Sequence, residues 1–255
     1  MLAVARKNKI KNMITEKRSV SVAELSKTFE VTEETIRRDL KALEKDGFLV
    51  RTYGGAYIQD DTDNQIPFQI SEEKYVDSKA AIAKACLPIV QEGDSIFLDS
   101  SATSFYVCKA IQHMHLTVVT NSLVIIEHLN DCSNIRLICT GGFLSREKKA
   151  FFGKIAAQSL NSFYIDKAFF SCRSISIKQG ITDSSEDIGI LHQKLIERCD
   201  KVFLIADFSK FDKASFLHVC DFDNLTAIVT DKCLPNNWKD FLQKKNVKVI
   251  ECSPV

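Results

Sequence analysis

Apolar positions follow a helical period along the first 57 residues; from Ser78 onward short apolar runs alternate with helical stretches. Val4, Ile10 and Ile14 mark the inner side of a first helix whose outer side carries lysines. Ser21-Val22-Ala23-Glu24 reads as a capping box: the Ser21 oxygen caps an early amide and Glu24 reaches back. It opens a second helix with Ala23, Leu25, Ser26 and Phe29, ending near Glu30. Val31 bridges a tight turn, and Thr32 caps a third helix, TEETIRRDLKAL, with Glu33 and Glu34 at its positive end. The following GFLVRTYGGAYI predicts a hairpin of segments 48–53 and 56–58 turning at Gly54-Gly55. Helix-turn-helix plus hairpin is a winged-helix arrangement, a unit used in the DNA major groove.

Residues 59–75 are polar, contain Pro67 and lack periodicity, so they read as a linker between a 1–58 domain and a 76–255 domain. In the latter, SIFLDS, LTVVTNS, IRLICTGG, KAFFSCRS, KVFLIADFS, AIVTD and VKVIEC read as strands. Helical segments such as SKAAIAKACLPIV, TSFYVCKAIQ, GKIAAQSLNSF and GILHQKLIERC lie between most of them. Strands this apolar, alternating with helices, predict an α/β fold with a mostly parallel sheet covered on both faces.

Composition adds three points. The net charge of +1 conceals an asymmetry: residues 1–57 hold 12 basic against 8 acidic side chains, and the remainder 22 against 25. A basic segment on an acidic body points to a polyanion for the first domain, although four charges also suit a solvated surface. Nine cysteines without a CxxC pair fit reduced core thiols in a cytoplasmic protein, and no apolar run is long enough to span a bilayer. His113 and His115 have no further ligand at useful spacing; they read as a surface pair, and neither a metal nor a cofactor is expected.

On a wheel advancing roughly 100° per residue, Leu40 and Leu43 fall close to Ile36 as a buried stripe. Arg38 and Lys45 point nearly opposite, flanked by Thr35 and Lys41. Arg37 lies to one side, within reach of a phosphate, and Asp39 sits at the inner edge, suited to an ion pair within the domain. The competing reading is a solvated helix laced by Glu33–Arg37 and Glu34–Arg38 pairs. Arg51 and Tyr53, near the hairpin tip, are placed to lie against a phosphate backbone.

The spacing of Arg6, Ile10, Ile14, Thr32, Thr35, Ile36, Arg37, Arg38, Asp39 and Leu40, with the ending Tyr53-Gly54-Gly55-Ala56, resembles the DeoR-type helix-turn-helix regulators. The resemblance makes the T-I-R-R-D-L helix the recognition helix and Thr32, Thr35, Arg37 and Arg38 its DNA-facing positions.

In an open parallel sheet, ligands bind beyond the carboxyl ends of the strands. Those ends carry Asp99-Ser100-Ser101, Thr120-Asn121-Ser122, Gly141-Gly142, Ser171-Cys172-Arg173-Ser174 and Asp207-Phe208-Ser209-Lys210. Ser100-Ser101-Ala102-Thr103 precede a helix, where amides and hydroxyls suit a phosphate, although no Walker loop is present. Asp99 would repel a phosphate and suits sugar hydroxyls or loop fixing. Lys210 reads either as countercharge or as a surface lysine, and Gly141-Gly142 either as a tight turn or as a place of close ligand approach.

FLDSSATS, VVTNS, the GG followed by Phe152-Gly153, KAFFSCRS–GITD and LIADFSKF resemble the DeoR C-terminal sensor domain, which shares its fold with ribose-5-phosphate isomerase and coenzyme A transferases. The resemblance implies a phosphorylated sugar or related metabolite as effector. Two departures stand out: Ser101 and Ala102 replace part of a common D-x-G-T-T, and Cys172-Arg173-Ser174 replace an acidic G-x-D-G. Arg173 either favours an anionic ligand or pairs with Asp183 or Glu186. Three functions follow as expectations: a homo-oligomeric operator-binding regulator, most naturally a repressor; a sugar-phosphate isomerase or transferase; and a winged helix serving protein contacts alone. The first is preferred, because no paired acid and base is evident at the strand ends.

Overall fold

A computed structural model of the chain describes residues 3–17, 19–45, 48–51, 54–57 and 68–253. It forms two compact units, 1–70 and 71–255.

The first unit contains α1 (Ala3–Lys17), β1 (Ser19–Ser21), α2 (Val22–Phe29), α3 (Glu33–Lys45), β2 (Val50–Arg51) and β3 (Gly55–Tyr57). Its core joins Ile10 and Ile14 of α1, Leu25 and Phe29 of α2, and Ile36, Leu40 and Leu43 of α3. The Ser21 hydroxyl accepts from the Glu24 amide at 3.0 Å and so starts α2 as its capping box predicts. Glu30 ends α2 in the left-handed region (φ 53°), and the Ser26 hydroxyl donates to the Val31 carbonyl at 2.6 Å, fixing the turn.

The wing differs from the sequence reading. Three strands pair in the order β1-β3-β2, all antiparallel, so the central strand is flanked by the short β1 that precedes α2. Phe48 does not begin a strand; its amide closes α3 on the Leu43 carbonyl, and its ring is buried. Gly55 belongs to β3 rather than to the turn. A Cβ there would lie 2.2 Å from the Val20 carbonyl oxygen, so the close approach of β1 is what requires glycine. Tyr53 and Ile58 lie outside the described residues.

The helix α4 (Phe68–Glu73), within the stretch read as linker, spans the boundary between the units, and the second continues with α5 (Val76–Cys86), β4 (Ser95–Leu98), α6 (Ala102–Ile111), β5 (Leu116–Thr120), α7 (Leu123–Leu129) and β6 (Ile135–Cys139). A hairpin of β7 (Phe143–Ser145) and β8 (Ala150–Phe152) leads to α8 (Lys154–Ser159) and β9 (Ile165–Phe170). Then come β10 (Ser174–Ser176), β11 (Gly180–Asp183), α9 (Glu186–Ile196), β12 (Cys199–Ile205) and β13 (Leu217–Cys220). The chain closes with β14 (Ala227–Thr230), α10 (Asn236–Lys244) and β15 (Lys248–Glu251).

The seven strands read from the sequence form one parallel sheet, in the order β15-β14-β12-β9-β4-β5-β6. The order runs outward in both directions from β4 and β9, so the sheet has a topological switch point between them. Phe97, Ala168, Phe170, Val202 and Leu204 pack on one face with Leu191 and Leu195 of α9 and Trp238 of α10. The intervening Ile96, Leu98, Phe169, Phe203 and Ile205 are equally buried, so both faces are covered. Two further antiparallel pieces, β7-β8 and β10-β11-β13, were not legible in the sequence. The thiols divide: Cys86, Cys108, Cys172 and Cys220 are buried, but Cys139 and Cys233 are exposed and do not serve as core hydrophobes. Among the described residues no helix is long and apolar enough to cross a membrane.

Candidate nucleic-acid interface and effector site

The wheel drawn for α3 describes its real faces. Ile36, Leu40 and Leu43 are buried; Arg37, Arg38 and Lys41 are exposed. Asp39 is buried too, and its carboxylate accepts from the Arg6 Nε at 2.6 Å with both side chains almost fully enclosed. This pair ties α1 to α3 and sets the angle at which α3 presents its outer face. Thr32 caps the helix weakly, accepting from the Thr35 amide at 3.3 Å, and the two hydroxyls lie 2.9 Å apart.

The two arginines differ. Arg37 bonds to Glu33 at 2.9 Å on the surface, which is half of the charge lacing weighed above. Among the described residues Arg38 and Lys41 form no ion pair or hydrogen bond, so both cations are available to a partner. Arg51 departs from expectation: its Nε donates to Glu44 Oε2 at 2.7 Å and its amide to Glu44 Oε1 at 3.1 Å, which fastens the wing to the end of α3. The guanidinium also holds the Glu44 carboxyl below its ordinary value.

At the switch point of the second unit, Asp99 ends β4 and Ser171 follows β9. The Asp99 carboxylate is buried and accepts from the Ser101 amide (3.2 Å), the Ser101 hydroxyl (2.6 Å), the Ser104 hydroxyl and the Ser171 amide (3.0 Å). His192 Nε2 lies 3.3 Å from Asp99 Oδ2, the oxygen that also accepts from the Ser171 amide. Burial alone would push this carboxyl up, yet the bonds from His192, Ser101 and Ser104 hold it below the ordinary aspartate value. Asp99 therefore fastens the loop, and its lone pairs are already taken by protein donors rather than left for sugar hydroxyls.

Ser101 is the N-cap of α6, accepting from the Ser104 amide at 3.1 Å. Ala102 and Thr103 are buried, whereas Ser100 and Ser101 are partly exposed. Asn121 is wholly buried: its Nδ2 donates to the Phe151 carbonyl at 3.1 Å and lies 3.5 Å from Ser100 Oγ. Its Oδ1 has no partner among the described residues, an acceptor left open beside Ser100. Ser122 caps α7 from the same strand end. The two glycines also separate. Gly142 (φ 112°) would bring a Cβ within 2.3 Å of the Phe152 carbonyl oxygen, a packing demand, whereas Gly141 (φ 67°) faces open space.

The cations here are more numerous than the sequence suggested. Lys210 follows Asp207, whose carboxylate accepts from the Ser209 amide at 2.9 Å and caps that turn. Lys79 of α5 is buried, donates to the Lys74 carbonyl, and is pushed down to about 8 by burial, partly offset by Asp207. Burial also lowers Lys148, which feels Asp183, Asp187 and Arg173. The Arg173 amide donates to Asp183 Oδ2 at 3.2 Å, so Asp183 orders this strand end through the backbone. Lys79, Lys148 and His192 escaped the sequence reading. A wheel would have found two of them, since Lys79 lies about 60° from Ile82, and His192 from Leu195, on the buried sides of their helices.

No carboxylate follows β9 in Ser171-Cys172-Arg173, and burial raises the Cys172 thiol well above its ordinary value. Asp99 and Asp183 are committed to amides and hydroxyls. Among the described residues the strand ends thus offer cations, amides and open acceptors that include Asn121 Oδ1 and Asp231 Oδ2, a set suited to holding an anion that also carries hydroxyls rather than to moving protons.

Comparison with known proteins gives the family. Residues 6–62 match the DeoR-like helix-turn-helix domain, and residues 74–232 the DeoR C terminal sensor domain. The chain is 38% identical over 98% of its length to the uncharacterized HTH-type transcriptional regulator YulB of Bacillus subtilis, covering 96% of that protein. It is 34% identical to the L-fucose operon activator of Haemophilus influenzae, covering 90% of this chain and 92% of that one. It is 30% identical to the putative aga operon transcriptional repressor of Escherichia coli O157:H7, covering 96% and 92%. Among solved structures, ribose 5 phosphate isomerase A of Neisseria gonorrhoeae overlaps 55% of this chain and 54% of its own, with a TM-score of 0.38 and 16% identity. With both of its domains matched and these relatives aligned along nearly its whole length, the chain belongs to the DeoR family of transcriptional regulators, and it is a regulator rather than an enzyme.

Proposed function

We propose that the protein represses an operon of carbohydrate metabolism and that a phosphorylated sugar, bound at the carboxyl ends of the parallel sheet, sets its affinity for the operator. The observation that carries the reading is an exposed Arg38–Lys41 face on α3, without an ion pair among the described residues, in a chain that also has a strand-end cluster rich in cations at the switch point. On this reading Arg38, Lys41 and Thr35 meet base edges and backbone, while Arg37 and the capped turn at Thr32 hold phosphates. Arg51 positions the wing through Glu44 and frees itself for phosphate only if that pair opens.

The sugar phosphate lies against Ser100, the amides of Ala102 and Thr103, Asn121, Ser122 and Gly141, with Lys210, Arg173, Lys79 and Lys148 supplying countercharge. A sensor of this kind regulates only if the ligand favours one arrangement of the DNA-binding units over another. One recognition helix reads few base pairs, so two or more copies on repeated half-sites are required. The relatives named for aga and L-fucose operons support carbohydrate control, one as repressor and one as activator.

The test is fluorescence anisotropy with a duplex selected from a random pool, over a salt series, with and without a panel of sugar phosphates. Arg38→Ala is expected to weaken binding by about 1–3 kcal/mol and Lys41→Ala to flatten the salt slope. Binding indifferent to Arg38, or to every sugar phosphate tried, overturns the corresponding half of the reading.

A further inference from the structure

We infer that the groove between α8 and α9 is the surface on which a second copy of this chain docks, which deepens the reading above by naming the face that brings two DNA-binding units together. The groove has a volume of about 480 Å³ and runs between Lys154, Ala157 and Gln158 of α8 and Asp187, Ile190 and Lys194 of α9. Ile190, 52% exposed, lies in it, and Ile155, 67% exposed, stands on the neighbouring side of α8. The β7-β8 hairpin continues the apolar surface at one end. Phe143, 52% exposed, packs over Gly153, where a Cβ would meet its ring at 2.9 Å, and the exposed Leu144 follows it. Ile190 in the recess, Phe143 against its Gly153 edge and the exposed Ile155 beside Lys154 make an apolar surface of the kind that marks an interaction site.

The rim identifies the occupant. It carries two basic and two acidic side chains, Lys154, Lys194, Asp187 and Glu197. Lys194 and Glu197 already satisfy each other at 2.8 Å, whereas among the described residues Lys154 and Asp187 form no ion pair or hydrogen bond. A neutral rim with one free cation and one free anion does not select a nucleic acid or a highly charged peptide. It does match itself: under a two-fold axis a surface meets its own copy, so Lys154 of each copy can face Asp187 of the other, with Ile155 and Ile190 enclosed between them. Asp187 is also one of the carboxylates acting on Lys148 beside Arg173 and Asp183, so this face adjoins the effector site electrostatically.

Sedimentation equilibrium of the full chain without DNA tests the face apart from the operator reading. The wild type is expected at a multiple of its 28.7 kDa chain mass, and Ile190→Asp and Ile155→Asp at that mass or much nearer to it, with far-UV circular dichroism unchanged. Should Ile190→Asp fail to fold, Ile155→Asp decides, because its side chain is already mostly in water. A monomeric wild type, or two folded variants that keep the wild-type mass, overturns the inference, whatever the protein does with DNA. Loss of assembly by a variant that still binds an isolated half-site supports the interface independently of the operator's layout.

Discussion

Replacing Asp39 by Ala should be the most damaging single change in the DNA-binding unit, although Asp39 touches no DNA in this reading. The Arg6 side chain is 6% exposed and bonds to Asp39 at 2.6 Å, so removing the carboxylate takes its Asp39 bond away from a buried cation. Breaking such a pair from one side typically costs about 3–5 kcal/mol. A unit of this size has a total stability of roughly 3–9 kcal/mol at ordinary per-residue values, so the loss consumes about a third of it or more. Expressed as temperature, it is a fall of more than about 10 °C in the melting of this unit. The assay is urea denaturation of the full chain followed by circular dichroism, with the first transition assigned by operator binding. The double variant Arg6→Met, Asp39→Leu should recover most of the loss, because an apolar pair of similar volume avoids desolvating two charges. Glu33→Ala, which breaks only the exposed Arg37 pair, should cost less than about 1 kcal/mol. A loss below about 1 kcal/mol for Asp39→Ala, or no recovery in a double variant that folds, would refute the assignment of Asp39 as the brace that orients α3.

Three further outcomes are expected. Gly142→Ala should destabilise the second unit by more than Gly141→Ala, whose cost is about 1–2 kcal/mol, because its Cβ also strikes the Phe152 carbonyl; thermal unfolding ranks them. Effector affinity should fall as pH rises above about 8, up to about tenfold per unit, since an anion holds the proton that free Lys79 releases there; titration calorimetry across pH 7–10 reads it. The unliganded fold has the opposite trend from this group: the unfolded chain keeps the Lys79 proton between about 8 and 10.5, so stability rises with pH over that window.

What the sequence made legible is what periodicity reports. The α3 faces followed from the positions of Ile36, Leu40 and Leu43, and the seven parallel strands from apolar runs enclosed on both sides. Asp39 was placed at the inner edge by angle alone, and its partner Arg6 stood in the first helix 33 residues earlier. The short strands β1, β7, β8, β10 and β13 are three or four residues long, too few to display an alternation. In the candidate site, strand ends were visible as polar clusters, but the use of each side chain depended on contacts across the sheet. Asp99 looked like a ligand group and is a hub because Ser171 and His192 arrive from 72 and 93 positions away. Lys79 and His192 lie on apolar helix faces, where the hydrophobic stripe concealed the ionisable residue within it.

That hub makes a final prediction about how the site reaches the proposed interface. One carboxylate holds the loop after β4, the first turn of α6, the end of β9 and, through His192, helix α9. The same helix offers Ile190 and Asp187 to the groove on its other side. A ligand that shifts the Ser100–Thr103 loop therefore moves a group bonded directly to α9, with no chain of intermediates needed. His192→Leu removes the bond to Asp99 while keeping an apolar side chain against Phe170, whose ring lies 4.9 Å from the imidazole. It should leave operator binding without ligand nearly intact and reduce the ratio of operator affinities with and without effector, a coupling typically of about 1–3 kcal/mol. Asp99 then loses a donor that held its carboxyl down, so its folded and unfolded values move together and the variant should give up less stability than the wild type as pH falls through the ordinary aspartate range. An unchanged affinity ratio in a folded His192→Leu protein would show that effector and operator communicate by another route. A ratio lost together with the pH response would place the switch in this one buried contact.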